Sequence, residues 1–288
     1  MSPSRILLSR LFKFIVGADE VPIVVHEAAF ADQSRELETL MRGEMSESLA
    51  GEAKLEDVDT GTFIRFAQFV YVGDYSTPKM IVKPSDQRLP LGPPGEIDEG
   101  PPPPPEDPQW SDGWNLRPSV KKEWKKPFSR SVPVQPTPVF KTLSYPLPTP
   151  RFNFADTCDP TVGDGPSENI GEVLLIHASL YVLAEKWGID RLKKLTLFKI
   201  HKTLGMFSLD TPKLEHIIHF VRYAYSDERT PDLETKMDGL RELICQYIAT
   251  HAEFTSRDTT FTALIEEGGP LARDLWKLVA PRINSSSI

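Results

Sequence analysis

The sequence predicts an α+β protein in three parts: a small sheet with a helical cluster, a long insertion that splits it, and an all-helical C-terminal extension. Three observations lead there. A strand–turn–strand pattern occupies residues 11–25. Of the 27 prolines, 20 fall between Met80 and Gly171. Helical spacing of apolar residues resumes at about Ile170 and continues almost to the end.

The first part reads as follows. Leu11-Phe12-Lys13-Phe14-Ile15-Val16 is an apolar, β-favouring run, and Gly17-Ala18-Asp19-Glu20 is turn material. Val21-Pro22-Ile23-Val24-Val25 follows; Pro22 has no N–H to give a ladder, so it belongs at a strand start or edge. His26 to Ala31 is a short helix. Ser34 is placed to cap a second helix carrying Leu37, Leu40 and Met41, which Gly43 ends. Ala53-Lys54-Leu55 is a short strand. Asp59 or Thr60 opens a helix with Phe63, Phe66, Ala67, Val70 and Tyr71 on one stripe, and Gly73 stops it.

Residues 81–170 lose periodicity. Pro101 to Pro105 is a five-proline run, which favours polyproline II and forbids helix or central strand. Glu96 to Asp112 holds six acids and no base, whereas Arg117 to Arg130 holds six bases against Glu123. The expectation is a proline-rich disordered insertion. Beyond it, helices are expected from Ile170 to Trp187, Asp190 to Leu204, Pro212 to Tyr225, Leu233 to His251, Asp258 to Ile265 and Leu271 to Val279. Residues 1–80 and 171–205 form the two pieces of one core, and 206–288 a helical extension. The first piece alone would leave the stripe of the 60–71 helix uncovered.

Charge and composition exclude several classes. The net charge of −8 argues against a nucleic-acid surface as the main function. Cys158 and Cys245 are far apart and without CxxC spacing, so neither a disulfide framework nor a zinc site is expected, and a reducing compartment fits. No run approaches the roughly 20 apolar residues of a membrane span. The basic start resembles a transit peptide, but Arg10 and Lys13 break any signal-peptide core, so it reads as a lead-in to the first strand and the chain is expected in the cytoplasm or nucleus.

The order hairpin, short helix, helix, short strand, amphipathic helix, and then a helix pair across the gap resembles the BTB/POZ fold. The residues carry the likeness further. Phe14-Ile15-Val16-Gly17 with Val24-Val25-His26-Glu27-Ala28 is similar to that family's strand–turn–strand, and Ser34 to the serine beyond its helix. Leu55-Glu56-Asp57-Val58-Asp59, Phe63, and Phe69 to Tyr75 (with Tyr71, Gly73 and Tyr75) resemble its next stretch. His177-Ala178-Ser179-Leu180-Tyr181-Val182-Leu183-Ala184-Glu185-Lys186-Trp187 resembles a helix of many fungal BTB proteins. His26, Ser34, Tyr71, Gly73, Tyr75, His177, Tyr181 and Ala184 are therefore read as structural motif positions. The short lead-in before Phe12 leaves little room for the helix and strand that many BTB dimers exchange, and the oligomeric state stays open.

No catalytic, cofactor or metal site is expected. His26 and His177 read as structural histidines. His216 and His219, one turn apart, lack a glutamate partner and a third ligand. Phosphate loops, Gly-x-Ser-x-Gly and EF-hand spacings are absent. Arg130-Ser131-Val132-Pro133-Val134-Gln135-Pro136 has the R-x-x-P-x-x-P spacing of a Src-homology-3 ligand, which makes Arg130, Pro133 and Pro136 candidate partner-binding residues. The resemblance implies a non-enzymatic protein-interaction module, a substrate adaptor for a cullin-type ubiquitin ligase. The alternative is a transcription- or chromatin-associated scaffold using the basic block beside Trp110, Trp114 and Trp124.

Overall fold

Phe12, Phe14 and Val16 alternate with Leu11, Lys13 and Ile15 along β1 (Leu11–Val16), and the first three are fully buried. That period of two places β1 over the core. The computed structural model describes residues 3–77, 139–146, 170–206, 209, 211–226, 229–232 and 236–285. They belong to one compact unit, Met1–Ser85 with Pro136–Ile288.

A three-stranded sheet of order β2-β1-β3 sits at its N-terminal end. β2 (Val21–His26) runs antiparallel to β1, from Leu11 opposite His26 to Val16 opposite Val21. Gly17, at φ 74°, and Glu20, at φ 50°, make the turn. β3 (Glu52–Leu55) runs parallel to β1, with Phe14 opposite Ala53. Pro22 therefore lies on an edge strand, where its missing N–H costs no ladder bond.

Helices cover one face. α1 (Pro3–Leu7) precedes the sheet, and α2 (Glu27–Ala31) buries Ala28, Ala29 and Phe30. In α3 (Arg35–Arg42) the Ser34 hydroxyl caps the Leu37 N–H at 3.2 Å, and Leu37 and Met41 are buried. α4 (Ser46–Ala50) is held by Arg10, whose guanidinium donates to the Ser48 and Met41 carbonyls at 2.9 and 2.7 Å. α5 (Thr60–Val72) begins at Asp59, which caps the Thr62 N–H at 2.9 Å. It ends at Gly73, whose φ of 79° is the left-handed conformation that a C-terminal cap requires.

The stripe of α5 differs from the expected one. Phe63, Phe66 and Phe69 are buried, Ala67 and Val70 only partly, and Tyr71 is 46% exposed. Apolar residues surround this helix, so its pattern did not fix which face turns inward. α1 and α4 were not anticipated either; five residues are too few to show a 3.6 period.

Beyond the gap come α6 (Val139–Thr142), α7 (Ile170–Lys186), α8 (Asp190–Gly205), α9 (Thr211–Tyr225), α10 (Gly239–Thr250), α11 (Ala252–Thr255), α12 (Thr259–Glu266) and α13 (Gly269–Ser285). Residues 139–146 correct the expectation of disorder throughout 81–170. Phe140 is buried, with its ring 4.7 Å from His201 and 5.1 Å from Tyr247. One buried aromatic gives this short piece enough apolar contact to dock. The rest of 81–169 lies outside the described residues.

Two apolar cores result, and α7 serves both. Leu180, Leu183, Ala184 and Trp187 join the sheet-side core with Phe14, Phe30, Phe63 and Phe66. Ile170, Leu174, Ala178 and Tyr181 join the helical core with Phe140, Phe220 and Ile244. α8 divides likewise, with Leu192 and Leu195 on one side and Leu197, Ile200 and Leu204 on the other. The expected boundary at residue 205 is thus not a packing boundary, because the helical core begins on α7 and α8 themselves. Among the described residues no helix is long and apolar enough to cross a membrane.

Asp238 joins α7 to α10. Its carboxylate caps α10 through the Leu240 and Arg241 N–H groups, at 2.9 and 3.3 Å, and accepts the Tyr181 hydroxyl at 2.8 Å. Burial, reinforced by the Asp238 charge, pushes the Tyr181 phenol well above its ordinary pKa. Asp238→Ala removes a cap and a buried hydroxyl's partner, an expected loss of about 2 kcal/mol in urea unfolding. Asp238→Asn, which still caps, should lose less than half of that. Equal losses would show that the cap contributes nothing.

Candidate functional site

A groove runs beside α7, between α5 and α9. Gly171 makes it narrow at one end: a β-carbon there would lie 2.8 Å from His216 Nδ1, so only glycine lets α9 approach so closely. At mid-length Thr62 donates to the Asp59 carboxylate that caps its own helix, and its hydroxyl oxygen is 2.8 Å from that of Ser179. Ser179 in turn donates to the Ile176 carbonyl at 2.9 Å. These bonds fix α5 against α7 with polar groups turned towards the opening.

The groove encloses about 660 Å³ and runs into a second hollow of about 600 Å³; Asp59, Thr62, Ser179 and Tyr223 line both. Leu175 and Ile176 give an apolar stretch. At the Gly171 end stand Glu172 and Glu215, and neither has an ion-pair partner among the described residues. At the far end Lys186 is 2.6 Å from Asp57 and holds that carboxyl below its ordinary pKa. Arg229 lies 5.0 Å from the centre of the Tyr223 ring, whose phenol burial pushes up. Arg65 donates to the Gly61 carbonyl at 3.0 Å and to the Ser76 carbonyl at 3.2 Å. His216 and His219 also line the groove, and among the described residues no three His, Cys, Asp or Glu side chains gather as a metal site.

Behind α7, on its opposite face, lies a buried polar knot. Lys199 of α8 places its ammonium 2.6 Å from Asp74 and donates to the Tyr75 carbonyl at 2.7 Å; both charged side chains are fully buried. The Tyr75 hydroxyl is 2.7 Å from His177 Nδ1. Burial, with Lys199 and Arg65 adding to it, sets the His177 pKa well below the ordinary imidazole value, and burial raises that of Tyr75. The knot fastens the last described residues before the gap to α7 and α8.

Comparisons with protein-family models, with curated proteins and with solved structures found no match in any of the three.

The motif positions read from the sequence fall into separate places. Ser34 and Gly73 are helix caps, and Ala184 is in the sheet-side core. His26 meets a distant side chain: its backbone N–H donates to the Tyr71 hydroxyl at 3.0 Å, and its ring Nδ1 is 3.1 Å from the same oxygen. Tyr75 and His177 meet in the knot, and Tyr181 joins Asp238. Arg130, Pro133 and Pro136 lie outside the described residues. Lys199 and, in the groove, Glu172, Glu215 and Tyr223 had not been singled out. Lys199 carried a usable signal, a charge on the stripe of Leu192, Leu195 and Thr203.

Proposed function

We propose that this chain is a non-enzymatic protein–protein interaction module of the BTB/POZ type. In this reading it is a substrate adaptor for a cullin-type ubiquitin ligase in the cytoplasm or nucleus. The observation that carries the reading is the way the sheet is completed. A hairpin, a parallel third strand and an aromatic helix stripe are closed by α7 and α8 from beyond the insertion. This agrees with the motif order that resembles the family.

The groove is the docking surface in this reading. Along α7, Gly171 to Lys186 spans about 22 Å at ~1.5 Å per residue, room for about six or seven extended residues. Glu172 and Glu215 favour a partner segment with a basic side chain at that end.

The test is binding of a purified cullin N-terminal domain to three proteins: the full chain, a chain lacking residues 81–135, and Glu215→Arg. The deletion spares residues 139–146, which pack in the helical core. The full and deleted chains should bind alike, and Glu215→Arg about tenfold more weakly, ~1.4 kcal/mol. Absence of binding by both the full and deleted chains would remove the adaptor reading. DNA binding that falls steeply with salt and needs residues 81–135 would support the chromatin alternative instead.

A further inference from the structure

Residues 74–77, where the chain leaves α5 for the insertion, have no helix or strand of their own. Side chains hold them. Tyr75 N–H donates to Asp74 at 2.8 Å, and Lys199 binds both Asp74 and the Tyr75 carbonyl. Gln68 accepts the Ser76 N–H at 3.2 Å, and Arg65 donates to the Ser76 carbonyl. The Tyr75 ring lies between the Lys199 ammonium, 4.3 Å from its centre, and the His177 ring at 5.6 Å.

In this knot a charged imidazole would add positive charge beside Lys199. Asp74 contributes one negative charge and Lys199 one positive. Arg65, from α5, adds a further cation at longer range. The titratable groups about His177 are thus Tyr75 from the segment, Arg65 from α5 and Lys199 from α8, with Asp74 behind Tyr75 and Lys199. The one carboxylate among them already meets Lys199. His177 is fully buried, and its Nε2 meets no hydrogen-bonding partner among the described residues. An imidazolium there would carry an N–H on both nitrogens, so Nδ1 could no longer accept the Tyr75 hydroxyl and the Nε2 N–H would meet no acceptor, beside fixed positive charge and out of water.

We infer that the Tyr75–His177 contact is an acid-sensitive latch on residues 74–77, closed while the imidazole is neutral and opened when it takes up a proton. The sign follows from burial. The group loses proton affinity in the closed state and regains it when solvated, so the closed state is fully favoured above the ordinary imidazole pKa and weakens as pH falls below it. This inference stands independently of the cullin reading.

Hydrogen exchange by mass spectrometry on the full chain, between pH 7.5 and 5.0 and corrected for intrinsic rates, tests the latch. Opening of residues 74–77 should rise by up to about tenfold per pH unit below ~6.5, while the amides of Lys13 to Val16 keep their protection. In His177→Gln the profile for 74–77 should be flat. A flat profile in the wild type, or an equal slope in the folded variant, overturns the latch. If His177→Gln does not fold, the side-chain resonances of His177 in the wild type decide: proton uptake must coincide with lost protection at 74–77. Protonation with protection intact would overturn the inference.

Discussion

Lys199→Met is expected to destabilise the fold by about 3–5 kcal/mol, the usual result of removing one member of a buried ion pair. Both side chains of the Lys199–Asp74 pair have 0% exposure, so no solvent screens the carboxylate left behind. The same variant loses the bond to the Tyr75 carbonyl and the ammonium over the Tyr75 ring. Urea denaturation followed by circular dichroism measures the loss. The double variant Asp74→Asn/Lys199→Met removes the charge as well as its partner and should recover more than half of it. If the double variant is no better than the single one, the stranded charge is not the cause, and packing around the aliphatic stem of Lys199 is.

Trp187→Ala should cost a similar ~3–5 kcal/mol, the range for deleting a large buried aromatic side chain. Trp187 lies at the C-terminal end of α7, yet its ring is 5.1 Å from Phe66 and 6.4 Å from Phe14, both from before the insertion. It is 6% exposed, whereas Trp276 on α13 is 65% exposed. Trp276→Ala is the matched control and should stay within about 0.5 kcal/mol of wild type. Comparable losses for the two variants would mean that the halves of the chain do not share one core.

Features set by a few neighbouring residues were legible in the sequence. Ser34, Asp59 and Gly73 end their helices because a side-chain oxygen or a missing β-carbon acts within a single turn. The alternation along β1 was equally plain. What stayed hidden was either too short or too distant. α4, α6 and α11 have four or five residues each, less than two turns. The knot joins Tyr75 to Lys199 across 124 positions, and no local pattern announces such a pairing.

The groove was hidden for the same reason, since Thr62 and Ser179 stand 117 positions apart. The shared role of α7 did leave a trace. Ten of its 17 residues are buried, and a helix apolar all round is one enclosed on more than one side.

The division of α7 between two cores also orders events during synthesis. At ~5–20 residues per second, on the order of ten seconds separate the emergence of α5 from that of Trp187. Until then Phe63 and Phe66 have Phe14 and Phe30 beside them but not the Trp187 ring that closes on Phe66. A nascent chain on the ribosome therefore carries a finished sheet pattern and a half-covered aromatic stripe together, the kind of surface that chaperones hold. The length of the insertion sets how long that interval lasts.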